Sequence, residues 1–360
     1  MSDKQKKIDT ILDSFNKEFG EDSAVRLNSD KSRSKVHDVL SSGAIVVDSV
    51  LSDGKTDVVA GIAEGQITEI SGLNSSGKTT LCAQYAAKMQ EKGGLVVVVD
   101  TEERIDEKYW QNLGVNTSEV ISLHANTLEE VFDKQYFTAK KLQEHAAGVP
   151  ILMLWDSIGM TSSGYVDDED GKGSVMERAG KLMGRDAKTI GSGLKIMRHL
   201  VSNLKMAYVF TNHVYHNLKG YGPEYETYGG EKVKYSCTYR LQLKRGAAIK
   251  EEDSLGNPMT VGAYIHVSVL KNSLSTYMPT RTAVIRDGVG FCNDYTVMEI
   301  ARQLKLITGK GWATWTTPNG KEVKFQGWPG FKEKVVTDSE YPALCKIVYA
   351  TLCSPPAVLE

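Results

Sequence analysis

Eight consecutive residues, Gly72-Leu73-Asn74-Ser75-Ser76-Gly77-Lys78-Thr79, have the types and spacing needed to hold a polyphosphate. Gly72 and Gly77 permit backbone angles that turn successive N–H groups onto one anion. The helix predicted over 79–92 points its positive end at the same place. Lys78 adds a point charge for β- and γ-phosphates, and the Thr79 hydroxyl can ligate Mg²⁺. Asn74, Ser75, Ser76 and Thr80 complete the lining. An apolar strand precedes (66–71), which separates a P-loop from a chance Gly/Ser-rich turn.

Two acids complete an ATP site. Asp156 ends the apolar run Ile151–Trp155 and is placed to hold Mg²⁺ from a neighbouring strand tip. Glu102 lies two residues after Asp100, at the end of Leu95–Val99. A carboxylate at such a tip faces the nucleotide and can polarise an attacking water. Spacing alone leaves a second reading of Glu102 open, a solvated loop charge beside Glu103.

These groups need a scaffold. β-Branched and apolar runs recur at 66–71, 95–99, 151–155, 206–211, 237–243 and 263–270, with helical patterns at 79–92, 127–146 and 187–204. That alternation predicts an α/β fold with a mainly parallel twisted sheet, helices on both faces, and an antiparallel later edge. Ile8, Ile11, Leu12, Phe15 and Phe19 predict an amphipathic N-terminal helix whose apolar face must dock on its own core or on another subunit. Residues 28–38 read as a linker. From about 291 a helix (294–306) and a hairpin at Pro318-Asn319-Gly320 predict a small α+β domain. The division is therefore 1–42, 43–290 and 291–360. Net charge is -2 over 360 residues, so any nucleic-acid role requires locally gathered cations. No apolar run approaches a membrane span, and five scattered cysteines fit a reducing cytoplasm.

One segment gathers such charge. Residues 177–205 carry Arg178, Lys181, Arg185, Lys188, Lys195, Arg198 and Lys205 against Glu177 and Asp186. Lys188 and Lys195 stand two helical turns apart on one face. A phosphate-binding footprint and a solvated amphipathic helix both fit. The acidic run 167–170 just before would repel DNA. Tyr215, Tyr221, Tyr225 and Tyr228, closing on Gly229-Gly230, could stack on bases without reading sequence.

The ordered set FNKEFGEDSAVRL (15–27), GLNSSGKTT (72–80), DTEERIDEKYWQNLGVN (100–116), WDSIG (155–159), FTNHV (210–214) and YGGEKVKYSCTYRLQLKR (228–245) resembles the RecA-type homologous recombinases, their UvsX-like phage branch included. The resemblance runs collinearly from about residue 5 to 290 and weakens through 295–350. It implies a P-loop RecA-like ATPase core that uses ATP and Mg²⁺ and forms a helical homopolymer on single-stranded DNA. It also implies exchange with a homologous double-stranded DNA, assisted by a single-strand-binding protein and a loader. Residue by residue, it implies Glu102 as the catalytic carboxylate, Tyr109 with Asp106 at the adenine, and His213 as γ-phosphate sensor where the family has glutamine. Lys271 is implied to act across the subunit interface. Lys188 and Lys195 are implied on DNA, with Met183 as a wedge between bases; Arg178 and Arg185 join them by charge, and Gly229 and Gly230 by a backbone open to phosphates. Ser273 stands where the family has a second interface lysine, and Tyr215 where it has arginine. Two rivals remain: a hexameric helicase on the same core, against which FNKEFG argues, and a non-catalytic ATP-dependent DNA scaffold, against which Lys78 and Glu102 argue.

Overall fold

The computed structural model describes residues 2–29, 31–32, 36, 38–52, 60–164, 175–217, 222 and 224–354, with 175–183 as backbone only. Helix α1 (Asp3–Phe19) opens the chain, followed by β1 (Val39–Leu40), α2 (Ile45–Val50) and β2 (Ile62–Ala63). The alternation then runs β3 (Ile67–Gly72), α3 (Lys78–Glu91), β4 (Leu95–Asp100), α4 (Glu107–Asn112), β5 (Val120–Leu123), α5 (Leu128–His145), β6 (Ile151–Asp156), α6 (Val175–Asn203) and β7 (Ala207–His216). β8 (Tyr225–Thr227) folds back on β7, and α7 (Glu231–Ser236) leads into β9 (Tyr239–Glu252), β10 (Pro258–Asn272), β11 (Thr280–Arg286) and β12 (Gly290–Phe291). The chain closes with α8 (Asn293–Gln303), β13 (Ile307–Thr308), β14 (Trp312–Thr316), β15 (Glu322–Gln326), α9 (Gly327–Lys334) and α10 (Tyr341–Cys353).

The main sheet has the order β12-β11-β10-β9-β3-β7-β6-β4-β5. Pairs from β9 through β3 to β5 are parallel, and those from β9 to β12 antiparallel. The chain leaves β3 toward β4 on one side and returns to β9 on the other. The C-terminal tip of β3 is therefore a topological switch point, where such sheets bind ligands.

Central strands are buried on both faces, so they carry continuous apolar runs. In β4, Val96 and Val98 join one hydrophobic cluster with α2 and α3, while Val97 and Val99 join another with α5 and α6. α6 fits the second layer because Ile190, Leu194, Met197 and Val201 recur at helical spacing and are buried. Its Arg185, Lys188, Lys195 and Arg198 face solvent.

The β14–β15 hairpin turns at 317–321, with Gly320 at φ 82°, as its Pro-Asn-Gly stretch predicts. Phe325, Phe331, Leu344 and Val348 of this C-terminal segment share the first hydrophobic cluster with Val46 and Val47 of α2. Asn293 ties the two by accepting from the Ile45 amide at 2.8 Å. α1 is different. It has no buried residue, and Ile11, Phe15 and Phe19 are exposed. Its fold-back is polar: Arg26 reaches Asp9 at 2.6 Å, and Asn16 bonds the Ala24 backbone in both directions. Among the described residues no helix is long and apolar enough to cross a membrane.

Candidate functional site

The loop between β3 and α3 has the strain that its sequence requires. Gly77 adopts φ 94° and Ser75 φ 58°. A Cβ on Gly72 would lie 2.4 Å from the Leu243 carbonyl and 2.5 Å from Ser76 Oγ, so only glycine fits. Lys78 Nζ donates to the carbonyls of Gly72 at 3.0 Å and Leu73 at 3.1 Å, curling back over the loop. Burial pushes its pKa down, while Asp156 and Glu102 pull it up. Ser76 Oγ is buried without a hydrogen-bond partner among the described residues. A pinched glycine backbone, an orphaned hydroxyl and a desolvated lysine at a helix N-terminus fit a polyphosphate.

Thr79 Oγ1 donates to Asp156 Oδ2 at 2.6 Å, so the two residues expected to hold Mg²⁺ converge from α3 and β6. The other oxygen of Asp156 accepts from Thr211 of β7. Burial raises the Asp156 pKa against the pull of both hydroxyls. Glu102 is the centre of the second cluster. Its Oε1 accepts from Ser157 Oγ at 2.7 Å and lies 2.6 Å from His213 Nε2. Burial alone would raise its pKa, but Ser157, His213 and Lys78 together hold it below the ordinary carboxylate value. Asp100 shapes the turn beneath it by accepting from the amides of Glu102, Arg104 and Ile105. Glu102 is therefore not a free loop charge. It sits fixed beside Lys78 and Asp156, and the β3–β7 register, Gly72 opposite His213, sets the histidine that meets it at the end of the P-loop strand.

The remaining expected residues fall as follows. Asn74 and Ser75 are exposed on the loop, and Thr80 Oγ1 lies 2.8 Å from Tyr109 Oη, bringing Tyr109 to the start of α3. Trp110 is buried in the core, which leaves Tyr109 as the ring presented to this site. Asp106 caps α4 through the Tyr109 amide at 2.9 Å. Lys271 is not brought to this site; its Nζ donates to the carbonyls of Lys234 and Tyr235 at the end of α7.

A second surface forms around α6. Gly229 has φ 92° and Gly230 φ 74°. A Cβ on Gly230 would lie 3.7 Å from Ala187 Cβ, and one on Gly229 3.8 Å from Ile190. The glycine pair therefore lies on α6 next to Lys188, although 41 positions separate them in the chain. Lys232 crosses α6 at Gly191, where a Cβ would meet its stem at 2.4 Å. Since Lys188, Gly191 and Lys195 share a face, Lys232 fills the interval between the two lysines. The side chains of Arg178, Lys181 and Met183, the acidic run 167–170, Lys219 and Tyr221 lie outside the described residues. Tyr215 is exposed, Tyr225 stacks with His216 at 4.6 Å, and Tyr228 turns inward onto Asp186.

Sequence reasoning missed Ser157, Thr211, Lys232 and Arg245, which donates to the Ser75 carbonyl of the loop at 3.1 Å. For Thr211 a signal existed, a hydroxyl ending the apolar run 206–210 midway along β7. Lys232 had none, because only its packing on Gly191 places it.

The parallel sheet, the loop at its switch point and the paired strand-tip acids define a P-loop nucleoside triphosphatase. A family model described as the RecA N-terminal domain matches residues 6–291. The chain belongs to the RecA family and is an ATP-dependent DNA recombinase of recombination and repair, hence a DNA-dependent ATPase. It is 25% identical over 345 residues to Protein RecA 2 of Myxococcus xanthus, covering 96% of this chain and 88% of that protein. It is 27% identical over 320 residues to Protein RecA of Phytoplasma mali, covering 88% and 87%. With Protein RecA of Thermotoga neapolitana the identity is 29% over 329 residues, covering 89% and 86%.

Proposed function

We propose that this chain polymerises on single-stranded DNA as a helical filament and exchanges strands with a homologous duplex, with ATP bound between subunits. The observation that carries the reading is the meeting of the glycine pair with the lysine face of α6, beside β7, whose Asn212 bonds the Tyr228 carbonyl next to the glycines and whose His213 touches Glu102. In this reading DNA and nucleotide are sensed by one strand.

The chain divides, in this reading, into an N-terminal oligomerisation segment (1–42), an ATPase core (43–290) and a small C-terminal domain (291–360). The exposed apolar face of α1 docks on a neighbouring subunit, since the described residues of its own chain leave that face uncovered. Gly72–Thr80 cradle the phosphates of ATP, and Tyr109 meets the adenine. Thr79 and Asp156, which meet at 2.6 Å, would hold Mg²⁺, and the ion would supply charge neutralisation for the phosphates. Glu102, with its pKa lowered, stays a carboxylate at neutral pH and orients the attacking water; a weak base positions better than it deprotonates. His213 Nε2 holds one Glu102 oxygen and faces the γ-phosphate. Lys271, remote from its own P-loop, is available to a nucleotide on the adjoining subunit.

The DNA grip is tested by salt. Lys188→Ala with Lys195→Ala should weaken single-stranded DNA binding alike for all sequences. It should also flatten the log–log salt dependence by about 0.7 for each phosphate that these lysines no longer neutralise. Fluorescence anisotropy from low to moderate salt reads both. Equal affinity and equal slope for variant and wild type would leave α6 a solvated surface helix.

A further inference from the structure

The most basic helix of the chain holds a buried carboxylate. Asp186 is 2% exposed, although Arg185 and Lys188 on either side face solvent. Burying a carboxylate is costly unless donors meet both oxygens. Here Oδ1 accepts from the Ser163 amide at 2.9 Å and Oδ2 from the Tyr228 hydroxyl at 2.8 Å. Burial together with adjacent Asp186 raises the Tyr228 phenol far above its ordinary value, so it remains a donor.

Tyr228 is held at both ends. Its carbonyl accepts from Asn212 Nδ2 at 2.9 Å, and the same amide nitrogen reaches Glu69 Oε1 at 2.7 Å. Glu69 is fully buried on β3, three residues before Gly72, and its other oxygen meets Arg240. Asn212 immediately precedes His213 on β7. Gly159 closes the same corner: a Cβ there would stand 3.4 Å from His213, 3.8 Å from Tyr228 Cβ and 3.9 Å from Asn212 Oδ1. A continuous polar chain thus joins the strand under the P-loop, the strand bearing His213, the residue preceding Gly229, and the basic helix.

We propose that Asp186 and Tyr228 are positioning residues for the DNA grip: the buried carboxylate–phenol bond fixes the Gly229-Gly230 backbone against the lysine face of α6, and the Asn212 bond ties that arrangement to His213. The inference rests on the recombinase reading and adds to it the residues that link its two sites. Neither side chain touches the P-loop, Glu102 or Asp156. Removing the bond therefore leaves ATP turnover without DNA intact while loosening the registration of glycines and lysines. A helix displacement is resisted by this bond because the alternative is a buried carboxylate lacking one donor.

The test uses the full-length chain and the variants Tyr228→Phe and Asp186→Asn. Tyr228→Phe deletes one hydroxyl from a packed ring; Asp186→Asn keeps the shape of a buried group, so one stands if the other folds poorly. ATP hydrolysis is measured without DNA and across a titration of oligo-dT. Expected is a DNA-free rate within about twofold of wild type. The oligo-dT concentration for half-maximal stimulation should rise roughly tenfold, the loss of one buried hydrogen bond. The double variant should be no worse than the poorer single, because both act on the same bond, Tyr228→Phe by deleting it and Asp186→Asn by taking its charge. Tyr228→Phe with wild-type stimulation and half-maximal concentration would overturn the proposal. So would a variant of unchanged melting temperature whose DNA-free rate falls together with its stimulation, since that places Tyr228 in the ATP site. A wild-type chain that oligo-dT does not stimulate would overturn the recombinase reading itself, and this proposal with it.

Discussion

Lys78→Ala should lose ATP binding almost entirely. In the structure its ammonium donates to two loop carbonyls, the residue is 7% exposed, and the Ser76 hydroxyl of the same loop has no hydrogen-bond partner among the described residues. Burial makes the charge expensive, and Asp156 with Glu102 only partly compensates. A triphosphate placed on the N-terminus of α3 gains a charge-assisted contact with Lys78 and relieves its desolvation. Two charge-assisted bonds, to the β- and γ-phosphates, at about 1.5–3 kcal/mol each put the loss between roughly a hundredfold and ten-thousandfold in affinity. The fold should persist, because the alanine leaves the strand, helix and glycine turn untouched. Isothermal titration with Mg²⁺-ATP, beside thermal melts of both proteins, reads the effect. Wild-type affinity in a folded variant would remove the P-loop assignment.

Glu102→Gln should separate binding from chemistry. The amide keeps the volume of the carboxylate and one oxygen for the Ser157 hydroxyl. It loses the charge that lets Glu102 polarise water, so turnover should fall by about 10²–10⁴. ATP affinity should stay near wild type because Lys78, Thr79 and Asp156 are unchanged. DNA complexes formed with ATP should then outlast those of wild type, since their release follows hydrolysis. Steady-state turnover and dissociation from labelled oligo-dT measure the two halves. Turnover equal to wild type would show that the Glu102–His213 pair is structural.

The sequence reveals the chemistry more fully than the scaffold. Gly72, Gly77, Lys78, Thr79 and Asp156 are readable because phosphate chemistry fixes type and spacing together. The continuous runs of β4 and β6 are readable because strands covered on both faces are filled mostly by apolar residues; in β3 the run is broken by Glu69, whose buried partners Asn212 and Arg240 come from strands distant in the chain. β5 is not: Val-Ile-Ser-Leu is four residues long and half exposed, too short for a period to emerge. β9 and β10 run to Glu252 and from Pro258, well past the apolar stretches, because the outer part of the hairpin is held by its partner strand and not by a core. The start of α6 at Val175 also precedes its apolar periodicity. Within the site, Glu102 has two readings in sequence, and only tertiary structure sets Ser157 and His213 on one of its oxygens. Tyr228 has the sequence context of a base-stacking ring, and its inward bond to Asp186 depends on residues 42 positions apart meeting in space.

The chain should assemble around single-stranded DNA when ATP is held and not hydrolysed. Electron microscopy of the purified chain with long single-stranded DNA and a non-hydrolysable ATP analogue tests it most directly. Continuous helical filaments that follow the DNA are expected, and they should vanish when Lys78→Ala replaces the wild type. Closed rings threaded on the DNA, or isolated particles beside it, would contradict the claim.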